Sequence, residues 1–136
     1  MTSLLGNVML NEEAMQHHCY ETILFRNGVV TEASHCNVFF VKDEVVYTHP
    51  ANELILNGIT RLVAIQLCGE LGLELREEAV LMNEIREMDE AFLTGTSTQI
   101  ASIRQIDDFE YYQNDTIGPI TKMLQEAFLR LKTIEK

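Results

Sequence analysis

Three stretches of the 136-residue chain combine residue types that could do chemistry, and two of them share the chemistry of binding an anion. Gly58-Ile59-Thr60 falls where the apolar spacing predicts the start of a helix. A helix start offers backbone N–H groups with no intrahelical partner and the positive end of the dipole, and the Thr60 hydroxyl adds a donor, so this corner suits a phosphate. The run Thr94-Gly95-Thr96-Ser97-Thr98 follows a predicted buried strand. It presents four hydroxyls beside a glycine that lets backbone amides approach a ligand, and it suits a phosphate as well. Read singly, either stretch is also ordinary turn or capping chemistry. The third is Thr31-Glu32-Ala33-Ser34-His35-Cys36-Asn37, where the carboxylate of Glu32 ends a predicted strand. A glutamate in such a place is commonly just solvated.

The elements that must position these residues follow from periodicity and turn signals. Residues 8–17 place apolar Val8, Met9, Ala14 and Met15 behind a capping Asn7, with acidic Glu12 and Glu13, and predict a short helix. Residues 19–26 and 29–32 are rich in β-formers and flank Asn27-Gly28, a type I′ turn signal, so they predict a hairpin. Residues 37–42 and 45–48 predict a second hairpin around Asp43-Glu44, apolar on both faces as in a sheet covered on both sides. After the connection His49-Pro50-Ala51-Asn52, the helix opening at Gly58-Ile59-Thr60 buries Leu62, Val63, Leu67 and Leu71 and stops at Gly72. Residues 73–78 predict a strand, 83–88 a short helix, and 91–94, 102–106 and 109–112 further strands. A last helix turns Ile120, Met123, Leu124, Ala127, Phe128, Leu131 and Ile134 inward, with Lys122, Glu126, Arg130 and Lys132 on its other face.

Composition narrows the function classes. Ten Lys and Arg against 21 Asp and Glu give a net charge of −11, with basic residues nowhere clustered, which argues against a nucleic-acid backbone as partner. Hydrophobic residues make up 46% of the chain and charged ones 23%, enough apolar material for a core, and neither repeats nor linkers divide it, so residues 1–136 are expected to form a single domain. No apolar run reaches the roughly 18–20 residues of a membrane span. The acidic first residues lack the basic start of a signal peptide, so a cytoplasmic protein without a membrane partner is expected. Cys19, Cys36 and Cys68 are widely spaced and odd in number, and read as reduced, mostly buried thiols. His17-His18-Cys19 superficially suggests a metal cluster, but adjacent residues on a regular element cannot all face one ion, and no metal is expected.

Longer motifs then carry a resemblance. The stretch Cys19-Tyr20-Glu21-Thr22-Ile23-Leu24, Arg26-Asn27-Gly28, Val30-Thr31-Glu32, Ser34 and Asn37-Val38-Phe39 closely resembles the class IV, fold-type IV pyridoxal-phosphate aminotransferases, and among them most of all the D-amino-acid (D-alanine) branch. Two further blocks follow in the same order: Tyr47-Thr48-His49-Pro50-Ala51-Asn52 with Ile55-Leu56-Asn57-Gly58-Ile59-Thr60-Arg61, and Met88-Asp89-Glu90-Ala91-Phe92-Leu93-Thr94-Gly95-Thr96-Ser97. The resemblance implies an α+β fold, with a mixed, largely antiparallel sheet curled into a pseudo-barrel and flanked by helices, as in the family's large cofactor-binding domain. The small N-terminal domain of the family is expected to be absent.

Residue by residue, the resemblance implies a pyridoxal 5′-phosphate site. Glu32 matches the carboxylate facing the pyridine nitrogen, where a negative partner keeps that nitrogen protonated and the ring electron-accepting. Gly58, Ile59 and Thr60 match the helix start that binds the phosphate, and Thr96, with Ser97 beside it, closes the phosphate cup. Leu56 matches the apolar residue packed on one face of the ring, and Ser34 lies beside Glu32 in the cofactor-side loop. An anionic chain would thus hold a phosphate through amides, hydroxyls and a helix dipole. His35 and Cys36 depart from the serine-rich run common in the family; the first reads as a polar loop residue and the second as a small packing residue.

The family's Schiff-base lysine is expected at or just before Met1, and the chain's lysines, Lys42, Lys122, Lys132 and Lys136, stand in other contexts. No catalytic residue is therefore assigned. The cations that grip the phosphate and the substrate carboxylate from the small domain are also expected to be missing. The expected function is that of the cofactor-binding domain of an enzyme moving an amino group between an amino acid, of D configuration, and a 2-oxo acid, inactive by itself. A 4-amino-4-deoxychorismate lyase relative and a non-catalytic fragment or pseudoenzyme, with cofactor held non-covalently or not at all, are the alternatives. Apolar surface left bare by the missing domain predicts a homodimer.

Overall fold

Apolar residues alternate along the central strands so that each face of one sheet carries its own core. A computed structural model of the chain describes residues 3–10, 20–26, 29–33, 37–50, 59–95, 99–106, 109–111 and 118–134. In chain order these form β1 (Ser3–Leu10), β2 (Tyr20–Arg26), β3 (Val29–Ala33), β4 (Asn37–Lys42), β5 (Val45–Thr48), α1 (Ile59–Glu70), β6 (Glu74–Arg76), a 3₁₀ turn (Met82–Glu87), β7 (Glu90–Gly95), β8 (Gln99–Ile106), β9 (Phe109–Glu110) and α2 (Pro119–Ile134). The nine strands make one sheet in the order β3-β2-β1-β8-β7-β4-β5-β6, with β9 against β8. Only the β5–β6 pair is parallel. Among the described residues no pairing joins β3 to β6, so the expected mixed, largely antiparallel sheet is present but open, and pseudo-barrel describes its curl only loosely.

In β4, Val38 and Phe40 join one core with Ala91, Leu93, Ala101 and Ile103, covered by Val80, Ile85 and Met88 from the segment around the 3₁₀ turn. Phe39 and Val41 join the other with Phe92 and Ile100, covered by Ala64, Leu67 and Cys68 of α1 and Ile120, Leu124 and Ala127 of α2. The two-residue period of the pleat makes this division. Phe39 and Phe92, directly opposite in register, stack with centroids 4.9 Å apart. In β8 the pairing with β1 passes from Met9↔Gln105 to Leu10↔Ile103, and the extra residue, Arg104, shifts the alternation so that Ile103 and Ile106 face the same core.

Both predicted hairpins form, pairing β2 with β3 and β4 with β5. Asp43 and Glu44 turn the second with positive φ at both positions, 51° and 65°, as a type I′ turn demands. The predicted helix over 8–17 is corrected. Val8, Met9 and Leu10 belong to β1, whose backbone bonds β2 on one side and β8 on the other. Pairing on both sides outweighs the weak local preference for helix; residues 11–17 lie outside the described residues. Leu62 is also corrected, being 48% exposed: the buried stripe of α1 runs through Arg61, Ala64, Leu67 and Cys68. Met123, expected inward on α2, is 37% exposed. Gly72 ends α1 as expected, with φ 75° and the bonds Gly72 N to Gly69 O and Leu73 N to Cys68 O of a Schellman motif.

Candidate functional site

The start of α1 and the end of β7, 35 residues apart in sequence, meet in the fold through Thr60 Oγ1, which donates to the Gly95 carbonyl at 3.2 Å. The helix start predicted to hold an anion thus abuts the residue leading into Thr96 and Ser97. Ile59, at the first helical position, is 80% exposed. The first turn carries no acidic residue, although the chain has 21. Helix α2 provides the contrast. There the buried carboxylate of Glu90 accepts from Thr121 N (2.7 Å), Thr121 Oγ1 (2.8 Å) and Ile120 N (3.2 Å), so the chain's own acid neutralises that dipole.

Strand ends bring the third stretch toward the same corner. Asn37, the first residue of β4, stands opposite Thr94 in register. Glu32, whose backbone pairs with Leu24 of β2, precedes Asn37 by five residues, a length that spans at most about 18 Å fully extended. Thr94 itself is wholly buried, on the strand face it shares with Phe92, and among the described residues its hydroxyl has no hydrogen-bond partner. A buried orphan hydroxyl is uncommon, since it forfeits the bonds water gave it.

Arg61 completes the corner. Its side chain is 1% exposed, and Nη2 donates to the His49 carbonyl at 2.8 Å and to Glu77 Oε1 at 2.9 Å. His49 is held in turn: its Nδ1 lies 2.8 Å from the Pro50 carbonyl, an acceptor, so Nδ1 carries the proton and donates. Away from the corner, burial pushes the Cys68 thiol up to about 11, leaving it protonated and a packing group rather than a nucleophile. Burial likewise raises Tyr111, opposed by Arg86, and its hydroxyl donates to the Ile85 carbonyl at 2.9 Å.

Of the residues singled out in the sequence, the structure places Ile59 and Thr60 at the start of α1 and Glu32 on β3. Ser34, Leu56, Gly58, Thr96 and Ser97 lie outside the described residues, as do His17, His18, Cys19, His35 and Cys36. Arg61 was not singled out, and Thr94 only as one of the four hydroxyls of the 94–98 run. Arg61 carried a signal nonetheless: a cation in the first turn of a helix opposes the dipole, and it falls in phase with Ala64 and Cys68 on the buried face. The burial of Thr94 carried none, because a threonine ending a strand is ordinary.

Comparison with known proteins decides the family. The sequence matches the family model for amino-transferase class IV over residues 1–106. The chain belongs to the class IV aminotransferases. This class IV chain is 42% identical over 125 residues to the D-alanine aminotransferase of Bacillus licheniformis, across 92% of the chain and 44% of that protein. Its fold superposes on a putative branched-chain amino acid aminotransferase from Thermotoga maritima with a TM-score of 0.77 at 36% identity, covering 85% of this chain and 42% of the other. It also superposes on the branched-chain amino acid aminotransferase from Escherichia coli, with a TM-score of 0.76 at 38% identity over 90% and 41% of the two chains. The class IV chain spans less than half the length of the curated relatives it matches.

Proposed function

We propose that this chain is the cofactor-holding part of a pyridoxal 5′-phosphate-dependent aminotransferase that moves an amino group between an amino acid of D configuration and a 2-oxo acid. The observation that carries the reading is the contact of Thr60 with Gly95, at a helix start free of acidic side chains. The residues fit a phosphate monoester: the first-turn amides of α1 and the Thr60 hydroxyl are neutral donors in a turn without acidic side chains, and among the described residues the buried Thr94 hydroxyl has no partner. The D configuration is supported by the D-alanine aminotransferases found by sequence.

Bound there, the cofactor supplies an electron-accepting ring that eases loss of the substrate's Cα proton. The chain's residues hold and tune it. The amides of the first turn of α1 and the Thr60 hydroxyl bind the phosphate, joined by Thr96 and Ser97. The Thr60 hydroxyl, which donates to Gly95 in this structure, would turn to donate its hydrogen bond to the phosphate. Glu32, with Ser34 beside it, holds a proton at the ring nitrogen, and Leu56 packs the ring. Among the described residues, neither lysine side chain stands where it would supply the amine that such an enzyme needs. Lys42 pairs with Glu87 at 3.4 Å, at the end of β4 opposite to Asn37, and Lys122 is exposed on α2.

Calorimetry with pyridoxamine 5′-phosphate tests the cofactor reading, and a coupled assay of D-alanine with 2-oxoglutarate tests the chemistry. The purified chain is expected to bind the phosphorylated amine and to show no steady turnover, since general acid–base catalysis alone is worth about 10²–10⁴ in rate. Absence of binding overturns the cofactor reading. Steady turnover overturns the reading of the lysines.

A further inference from the structure

We infer that Arg61 is a positioning residue for the phosphate end of this site, holding the first turn of α1 in the place where its amides meet the ligand. The inference rests on the reading under Proposed function. Thr60 and Arg61 are adjacent, and their bonds run to three strand exits. Thr60 Oγ1 reaches Gly95 at the end of β7, while Arg61 Nη2 reaches His49, just past β5, and Glu77, just past β6. The helix start is thereby tied at three points to one edge of the sheet. Ala64, Leu67 and Cys68 hold the body of α1 on the sheet, while Thr60 and Arg61 set the direction of its first turn, and hydrogen bonds weaken steeply once direction is lost.

The placement of the guanidinium makes a merely incidental role costly. It lies in the first turn, where a cation opposes the dipole, and on the buried stripe next to Ala64, where an apolar side chain would pack without a desolvation cost. What it gains there is one planar nitrogen, Nη2, whose two hydrogens meet a carbonyl at 2.8 Å and a carboxylate at 2.9 Å. Lysine replaces that planar nitrogen, fixed in direction by the guanidinium plane, with a rotating ammonium on a flexible stem, so the two bonds lose their set directions. Glu77 is half-exposed and so reports on the orientation of Arg61 without disturbing the core.

The test compares pyridoxamine 5′-phosphate with pyridoxamine, which lacks only the phosphate, on the full chain by isothermal titration calorimetry. Arg61→Lys is expected to lower affinity for the phosphorylated ligand about tenfold and to leave pyridoxamine within about twofold, as the loss of one charged hydrogen bond implies. Glu77→Ala is expected to cost the phosphorylated ligand about threefold by the same route. Equal losses for both ligands, or no loss with Arg61→Lys, overturn the inference while the cofactor reading stands. If the wild-type chain shows no preference for the phosphorylated ligand, both readings fall. Should Arg61→Lys not fold, Glu77→Ala decides: unchanged discrimination between the two ligands overturns the proposal.

Discussion

The hydroxyl of Thr94 shows how a single buried atom can report on a ligand. Most buried polar groups have a partner, and this one, wholly shielded beside the start of α1, has none among the described residues. Thr94→Val keeps the shape and removes the unsatisfied group. Urea denaturation is expected to show Thr94→Val more stable than the wild type by about 1 kcal/mol, from the desolvation cost no longer borne. A loss of stability would show that the hydroxyl has a partner in the folded chain. At this scale the sequence was legible where residue type and local motif coincide. Thr60 at a helix start was recognised because threonine, glycine and a following apolar stripe occur together. Arg61, one position later, was passed over because nothing local tells that an arginine turns inward; its partners at His49 and Glu77 come from elsewhere in the chain.

The elements are held by contacts that local pattern shows only in part. Helix α2 begins at Gly118-Pro119, a start suited to proline at the first position. What fixes it to the sheet is Glu90, thirty residues earlier, whose carboxylate takes two backbone N–H groups and the Thr121 hydroxyl. A side chain at residue 118 would collide with that carboxylate, which accounts for the glycine. Glu90→Gln replaces an acceptor oxygen by an NH₂ group facing donors, and is expected to destabilise the chain by about 2–3 kcal/mol in urea denaturation. A change under about 0.5 kcal/mol, the range of ordinary surface substitutions, would rule out the role of Glu90 as the anchor of α2. The hairpins were legible because turn and strand signals are local and adjacent. Strand β1 was misread because Val8, Met9 and Leu10 take their structure from β2 and β8, and the phase of α1 was misjudged because a buried guanidinium occupies a position where an apolar residue was sought.

At the scale of the whole molecule, both helices show apolar side chains to solvent: Ile59 and Leu62 on α1, Met123 and Leu129 on α2. A homodimer, as expected from the sequence, would cover part of this surface. Light scattering at micromolar concentration is expected to give twice the mass of the chain, and a monomer would count against that arrangement. The sequence by itself determined the family, the two hairpins and the terminal helix, because each is written in contiguous motifs or in a period that survives without knowledge of neighbours. Tertiary structure alone decided the strand identity of β1, the open path of the sheet, the inward turn of Arg61, the docking of α2 on Glu90 and the meeting of Thr60 with Gly95. Each of these depends on which distant groups satisfy one another's hydrogen bonds and exclude water together, and that pairing exists only once the chain has closed on itself.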